Sequence, residues 1–167
     1  MVILGIDPGY ATLGYGIIEF KNAKYAPVHY GAIITSPKNT FSERLEIIFD
    51  ELEKIIKLYK PDVASIEKLY FQNNHKTAID VAQARGIILL SLQKYKIPIY
   101  EYTPLQVKTA VTGYGKAQKP QIMLMTQRLL RLKEIPKPDD TADALAIAIC
   151  HANSLGYQYI VKKTGNF

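Results

Sequence analysis

The chain has one cysteine, few histidines and no long apolar run, and each shortage closes off a class of protein. A lone Cys150 excludes an intramolecular disulfide and a zinc site built on cysteines. Three histidines among 167 residues leave little material for an imidazole-based metal centre. No stretch approaches the 18 or so uninterrupted apolar residues that mark a membrane span. The N-terminus lacks a basic region followed by an apolar run and a cleavage site, so a cytoplasmic location is the expectation. Low-complexity segments, internal repeats and linker-like stretches are missing as well, which leaves no place for a domain boundary.

What is there fits one soluble domain with a real core. The hydrophobic fraction is 48% and the charged fraction 22%. A net charge of +6 and a pI near 9.2 favour an anionic partner, nucleic acid before any other.

The strongest local signal is Val2–Gly9, VILGIDPG. A continuous apolar run ended by turn residues predicts a buried central strand that delivers Asp7 to the end of a sheet. Thr12–Phe20 and Tyr25–Thr35 read as the next two strands of an antiparallel meander, with Pro27 better tolerated at an edge. The period then becomes helical from Ser42 to Tyr59 and stops at Lys60-Pro61. Asp62–Glu67 is a short buried-type strand that also ends in an acid, followed by the polar loop Tyr70–His75. A helix over Thr77–Tyr95, a strand over Ile97–Tyr102 and a short helix over Pro104–Val111 come next. The basic stretch Thr112–Pro120 leads into an amphipathic helix over Gln121–Leu132, and Asp139–Leu155 forms a last, apolar helix. The sum is a mixed α/β sheet with helices on its faces. Residues 1–155 make the domain, and 156–167 a basic, partly disordered tail.

Three places set a carboxylate at the end of an element: Asp7, Glu67, and the pair Asp140/Asp143 in PDDTADALAIA. Residues three apart share a helical face, so Asp140 and Asp143 can point at one spot. Each acid alone has an ordinary explanation, as a turn former, a solvated rim acid or a helix-start acid that complements the dipole. Taken together, four carboxylates in one place must raise their pKa values or hold cations. Hard oxygen ligands select Mg²⁺, with Mn²⁺ able to substitute, over zinc. Two such ions can activate a water and stabilise the leaving oxygen of a phosphodiester.

GIDPG at Gly5–Gly9, IEKLYF at Ile66–Phe71, QARG at Gln83–Gly86 and DTADALAIAICH at Asp140–His151 together resemble the RuvC family of Holliday-junction resolvases. The likeness runs from residue 1 to about 155, with the motifs in family order; the last is specific and GIDPG alone is weak. It implies a ribonuclease H-like fold: a mixed five-stranded sheet whose first three strands form an antiparallel meander, flanked by helices. It also implies a homodimer that makes paired, symmetric nicks across a four-way DNA junction with Mg²⁺, two ions per site, in recombination and repair. Carried over by position, the catalytic and metal-binding carboxylates fall on Asp7, Glu67, Asp140 and Asp143. Some relatives have His at the third of these positions, and Asp139 is set aside because the D-x-x-D spacing selects Asp140.

The same resemblance makes Tyr70, with Phe71 beside it, the aromatic that stacks on a base near the junction centre. Lys108 and Lys119 match lysines near the scissile phosphate, and Lys116 and Arg85 are further phosphate contacts, which add affinity without sequence information. Phe71 has an equal reading as core, and each lysine one as a solvated side chain. His75 reads as a surface or DNA-facing residue; His151 lies too far along its helix to join the site, and Cys150 as packing. The helix Thr77–Tyr95, through Ala82, Ala84 and Gly86, is the expected dimer contact, and a branch-migration motor of RuvA and RuvB the expected partner; no membrane partner is expected. The leading reading is a metal-dependent endonuclease that leaves a 5′-phosphate and a 3′-hydroxyl. A non-catalytic junction-binding protein is the alternative. An actin- or sugar-kinase-like ATPase fragment, suggested by Asp-x-Gly after the first strand, is a weaker one.

Overall fold

The computed structural model describes the backbone of residues 1–69 and 75–164, with side chains for 1–69 and 78–155. Five strands make one sheet: β1 (Val2–Asp7), β2 (Thr12–Lys21), β3 (Lys24–Ile34), β4 (Val63–Glu67) and β5 (Ile99–Tyr102). Their order is β3-β2-β1-β4-β5. The first three pair antiparallel, and β4 and β5 join parallel to β1. The meander and the mixed sheet are therefore as expected. Pro27 sits on the edge strand β3, beside a register shift opposite Ile17 and Ile18, the kind of position where a residue without an N–H is tolerated.

Alternation along the strands sends side chains to two separate cores. Leu4, Ile6, Leu13, Ile17, Ala64 and Ile66 pack beneath α1 (Phe41–Tyr59) and α2 (His75–Lys94), against Ile48, Leu52, Ala84, Ile88 and Leu92. Ile3, Ile18 and Val63 face the opposite way. They meet α5 (Asp139–Thr164), which is flanked by α3 (Pro104–Thr112) and α4 (Lys119–Leu129). The α5 segment Ala144–Ala152 is buried on every side, which explains its apolar run from Ala144 to Cys150.

Helix boundaries depart from the periodic signal where capping decides them. Helix α1 starts at Phe41 because Thr40 and Glu43 form a reciprocal capping box, with the Thr40 amide 2.7 Å from Glu43 Oε2. Helix α4 starts at Lys119, two residues before the expected Gln121, because Pro120 is preorganised for a first helical turn. Helix α5 does not stop at Leu155; its backbone continues to Thr164 through most of the segment expected as a tail.

Candidate active site

Asp7 closes β1 and Glu67 closes β4, and these strands are parallel neighbours. Their C-terminal ends therefore lie side by side, the edge where α/β sheets place their chemistry. Strand alternation puts Ile3, Gly5 and Asp7, and likewise Val63, Ser65 and Glu67, on the face covered by α5.

A seam of glycine lets α5 reach that edge. Gly5 pairs across the sheet with Gly16, and Asp7 with Gly14. A Cβ on Gly5 would overlap the Ala144 carbonyl oxygen, and one on Gly14 the Asp140 carbonyl oxygen. One on Gly16 would stand 2.6 Å from Leu145 Cδ2. The helix thus lies almost on the backbone of β1 and β2, bringing its acidic first turn over Asp7. The spacing of apolar residues gave no sign of this seam, since the glycines matter only once α5 is docked.

The electrostatics record the crowding. Asp7 is pushed from 3.8 up to about 8, chiefly by burial and then by the charges of Asp143, Glu67 and Asp140. Burial and Asp143 also push Glu67 up, while Lys108 opposes the shift. Asp143 is raised by burial and held back by Lys119, whose Nζ lies 3.1 Å from Asp143 Oδ2 and 3.4 Å from Asp139 Oδ2;. Burial would lower Lys119, but its two aspartate partners outweigh that and hold it above its usual value. Glu67, Lys108, Lys119 and Asp143 line a cavity of about 240 Å³ floored by Val107 and Ile147.

Among the described residues, no three carboxyl, imidazole or thiol groups close tightly enough on one point to ligate an ion as they stand. Asp143 instead leans on Lys119. The donor chemistry nevertheless fits a hard cation: oxygen ligands only, and a buried carboxyl on which burial and three neighbouring acids outweigh the charge of Lys119.

The remaining site residues fall in different places. Lys108, on α3, joins the cavity, and Lys116 is exposed in the connection between α3 and α4. Arg85 sits on α2, on the other side of the sheet from the carboxylates, and its guanidinium is paired with Glu101 of β5. Tyr70 and Phe71 lie outside the described residues, as does the His75 side chain. Cys150 is buried, and burial raises its thiol to about 12, as packing requires. His151 is buried well along α5, away from the acids. Of the small residues on α2, Ala84 points into the core, so only Ala82 and Gly86 are left exposed.

A family model described as crossover junction endodeoxyribonuclease RuvC matches residues 3–151. The chain belongs to the RuvC family. A RuvC from Fusobacterium nucleatum is 54% identical over 166 residues, covering 99% of this chain and 87% of that one. One from Halothermothrix orenii is 56% identical over 154 residues, covering 92% and 93%. The structure of Thermus thermophilus RuvC in complex with Holliday junction substrate superposes with a TM-score of 0.90 at 36% identity, over 95% of this chain and 96% of that one. A yeast mitochondrial Holliday junction resolvase, at 13% identity and a TM-score of 0.69 over 96% and 83%, shares the fold. A RuvC match of this extent does not favour the ATPase reading.

Proposed function

We propose that this RuvC-family chain is a crossover junction endodeoxyribonuclease whose phosphodiester chemistry is performed at Asp7, Glu67, Asp140 and Asp143. It acts on four-way DNA junctions in homologous recombination. The observation that carries the site assignment is the convergence of acids from β1, β4 and α5, which leaves Asp7 near 8. Carboxyls perturbed by burial and by specific charged neighbours cluster at functional sites.

Asp7, Glu67, Asp140 and Asp143 would hold divalent cations, Mg²⁺ first and two per site, which would supply Lewis acidity toward the scissile phosphate and a more acidic attacking water. The chain's own residues do the rest. Asp7 gives up its proton to solvent and so completes a negative site shared with Glu67, Asp140 and Asp143. Lys119 and Lys108 meet phosphate oxygens at the cavity mouth, and Lys116 extends that contact outward. Water attacks in line, leaving a 5′-phosphate and a 3′-hydroxyl. Tyr70 and Phe71 supply the stacking contact at the junction centre.

Paired, symmetric nicks need two sites related by a two-fold axis, and we take the partner to be a second copy of the chain. The exposed stripe Ile79, Ala82, Gly86 and Leu90 on α2 suits that contact, with Ile79 67% and Leu90 57% accessible in the lone chain. Coupling to a RuvA–RuvB motor and a cytoplasmic location complete the reading; no helix among the described residues is long and apolar enough to cross a membrane.

The test is Asp7→Asn. The variant should bind a four-way junction as the parent does and cut nothing. Full cutting would remove the carboxylates from the mechanism, and an uncut junction with the parent chain would favour a non-catalytic junction binder.

A further inference from the structure

Two turns beyond Asp143, α5 presents a second polar group to the sheet. Asp143, Ile147, His151 and Ser154 lie on one stripe of the helix, with His151 about 12 Å from Asp143 along the axis. His151 is 1% exposed, and its ring packs tilted by 34° against Tyr100 at 4.3 Å between centroids. Its Nδ1 lies 2.7 Å from the Tyr102 hydroxyl, which is also 2.9 Å from Ser154 Oγ.

The direction of every proton in this chain follows from its end. Ser154 Oγ donates to the His151 carbonyl oxygen at 2.7 Å, and that oxygen can only accept. With its one hydrogen spent, Ser154 accepts from Tyr102. Tyr102, having donated, presents only lone pairs to His151, so Nδ1 bears the ring hydrogen. Nε2 is then a bare acceptor, buried and without a protein partner among the described residues. Burial lowers the imidazole's pKa, in keeping with a neutral ring.

Tyr102 is more than an anchor for the ring. It is the cross-strand partner of Glu67, and its carbonyl accepts from the Lys68 amide at 2.8 Å. The next residue, Thr103, caps α3, which holds Lys108. One tyrosine thus ties the strand end bearing Glu67 and the helix bearing Lys108 to the helix bearing Asp143.

We propose that Tyr102 and His151 are positioning residues for the cut: an ordered chain, His151 Nδ1–H to Tyr102 to Ser154, fixes the imidazole tautomer and sets α5 in register over Glu67. The proposal rests on the carboxylate reading above. It touches neither the DNA nor the reacting atoms.

Long-range ¹H–¹⁵N NMR on the full chain, with the His151 signals assigned by substitution, should find the proton on Nδ1 and none on Nε2. An Nε2–H tautomer overturns the proposal outright. His151→Asn keeps an N–H where Nδ1 stood, and His151→Gln moves it to the place of Nε2. Single-turnover cutting should stay near the parent rate for H151N. It should fall on the order of tenfold or more for H151Q and Tyr102→Phe, with junction affinity unchanged, because small misplacements at a reacting centre cost this much. Equal rates for H151N and H151Q, or a parent-like Y102F, also overturn it. Should Asp7→Asn still cut, the carboxylate reading fails while the tautomer result stands.

Discussion

Gly14 lies directly beneath Asp140: a Cβ added to the glycine would overlap the aspartate's carbonyl oxygen. Backbone against backbone leaves no flexible side chain to yield, so Gly14→Ala must lift the start of α5 off the sheet. Overpacking of this kind costs about 1–3 kcal/mol or more. Urea unfolding should show that loss, and cutting should fall further than stability explains, because Asp140 and Asp143 move with the helix.

Asp7 makes the metal-free chain a pH-dependent protein. Its folded pKa of about 8 lies above its ordinary 3.8, so the folded state holds a proton that the unfolded state releases. Its contribution to stability is therefore fully present below about pH 4 and is lost as pH rises through 8, by at most about 1.4 kcal/mol per unit. In chelator, the melting temperature should decline over that window, and Asp7→Asn should flatten the decline and melt higher at pH 8. A parent and variant with identical pH profiles would mean that Asp7 is not strained in the fold.

Lys119 has two duties, and a single variant separates them. Lys119→Ala should reduce the salt dependence of junction binding by about one unit of slope, the mark of a lost phosphate contact. It should also push Asp143 higher by removing its counter-charge, so cutting should fall more than binding does. Lys116→Ala should change the salt slope alone. Equal effects from both lysines would dissociate Lys119 from the carboxylates.

The α2 stripe predicts how the two cuts are coupled. Ile79→Asp places a charge on the apolar stripe and should convert a dimer to a monomer in sedimentation. The monomer should nick one strand at a time and leave few resolved products. A variant that remains dimeric and resolves junctions normally would place the two-fold contact elsewhere.

The acids were legible because each belongs to an element whose end is marked in sequence: Asp7 by Pro8-Gly9, Glu67 by the end of an apolar run, and Asp140 and Asp143 by helical spacing after Pro138. The five strands were legible for the same reason. What escaped is tertiary. Gly5, Gly14 and Gly16 carry no apolar signal, and their role shows only once α5 lies on them. Arg85 looks like any exposed cation on a helix, yet Glu101, sixteen residues on, pairs with it across an element boundary. Thr40 with Glu43 spelled the start of α1, but the nearer Ser42 masked it. Tyr102 and His151 are 49 residues apart, and only the sheet brings them together.

The most direct test of the account is incubation of the purified chain with a mobile four-way junction and a matched linear duplex, with and without Mg²⁺. Symmetric paired nicks in the junction alone, dependent on the metal and absent in Asp7→Asn, are the predicted result. Metal-independent cutting, or equal cutting of the linear duplex, would contradict it.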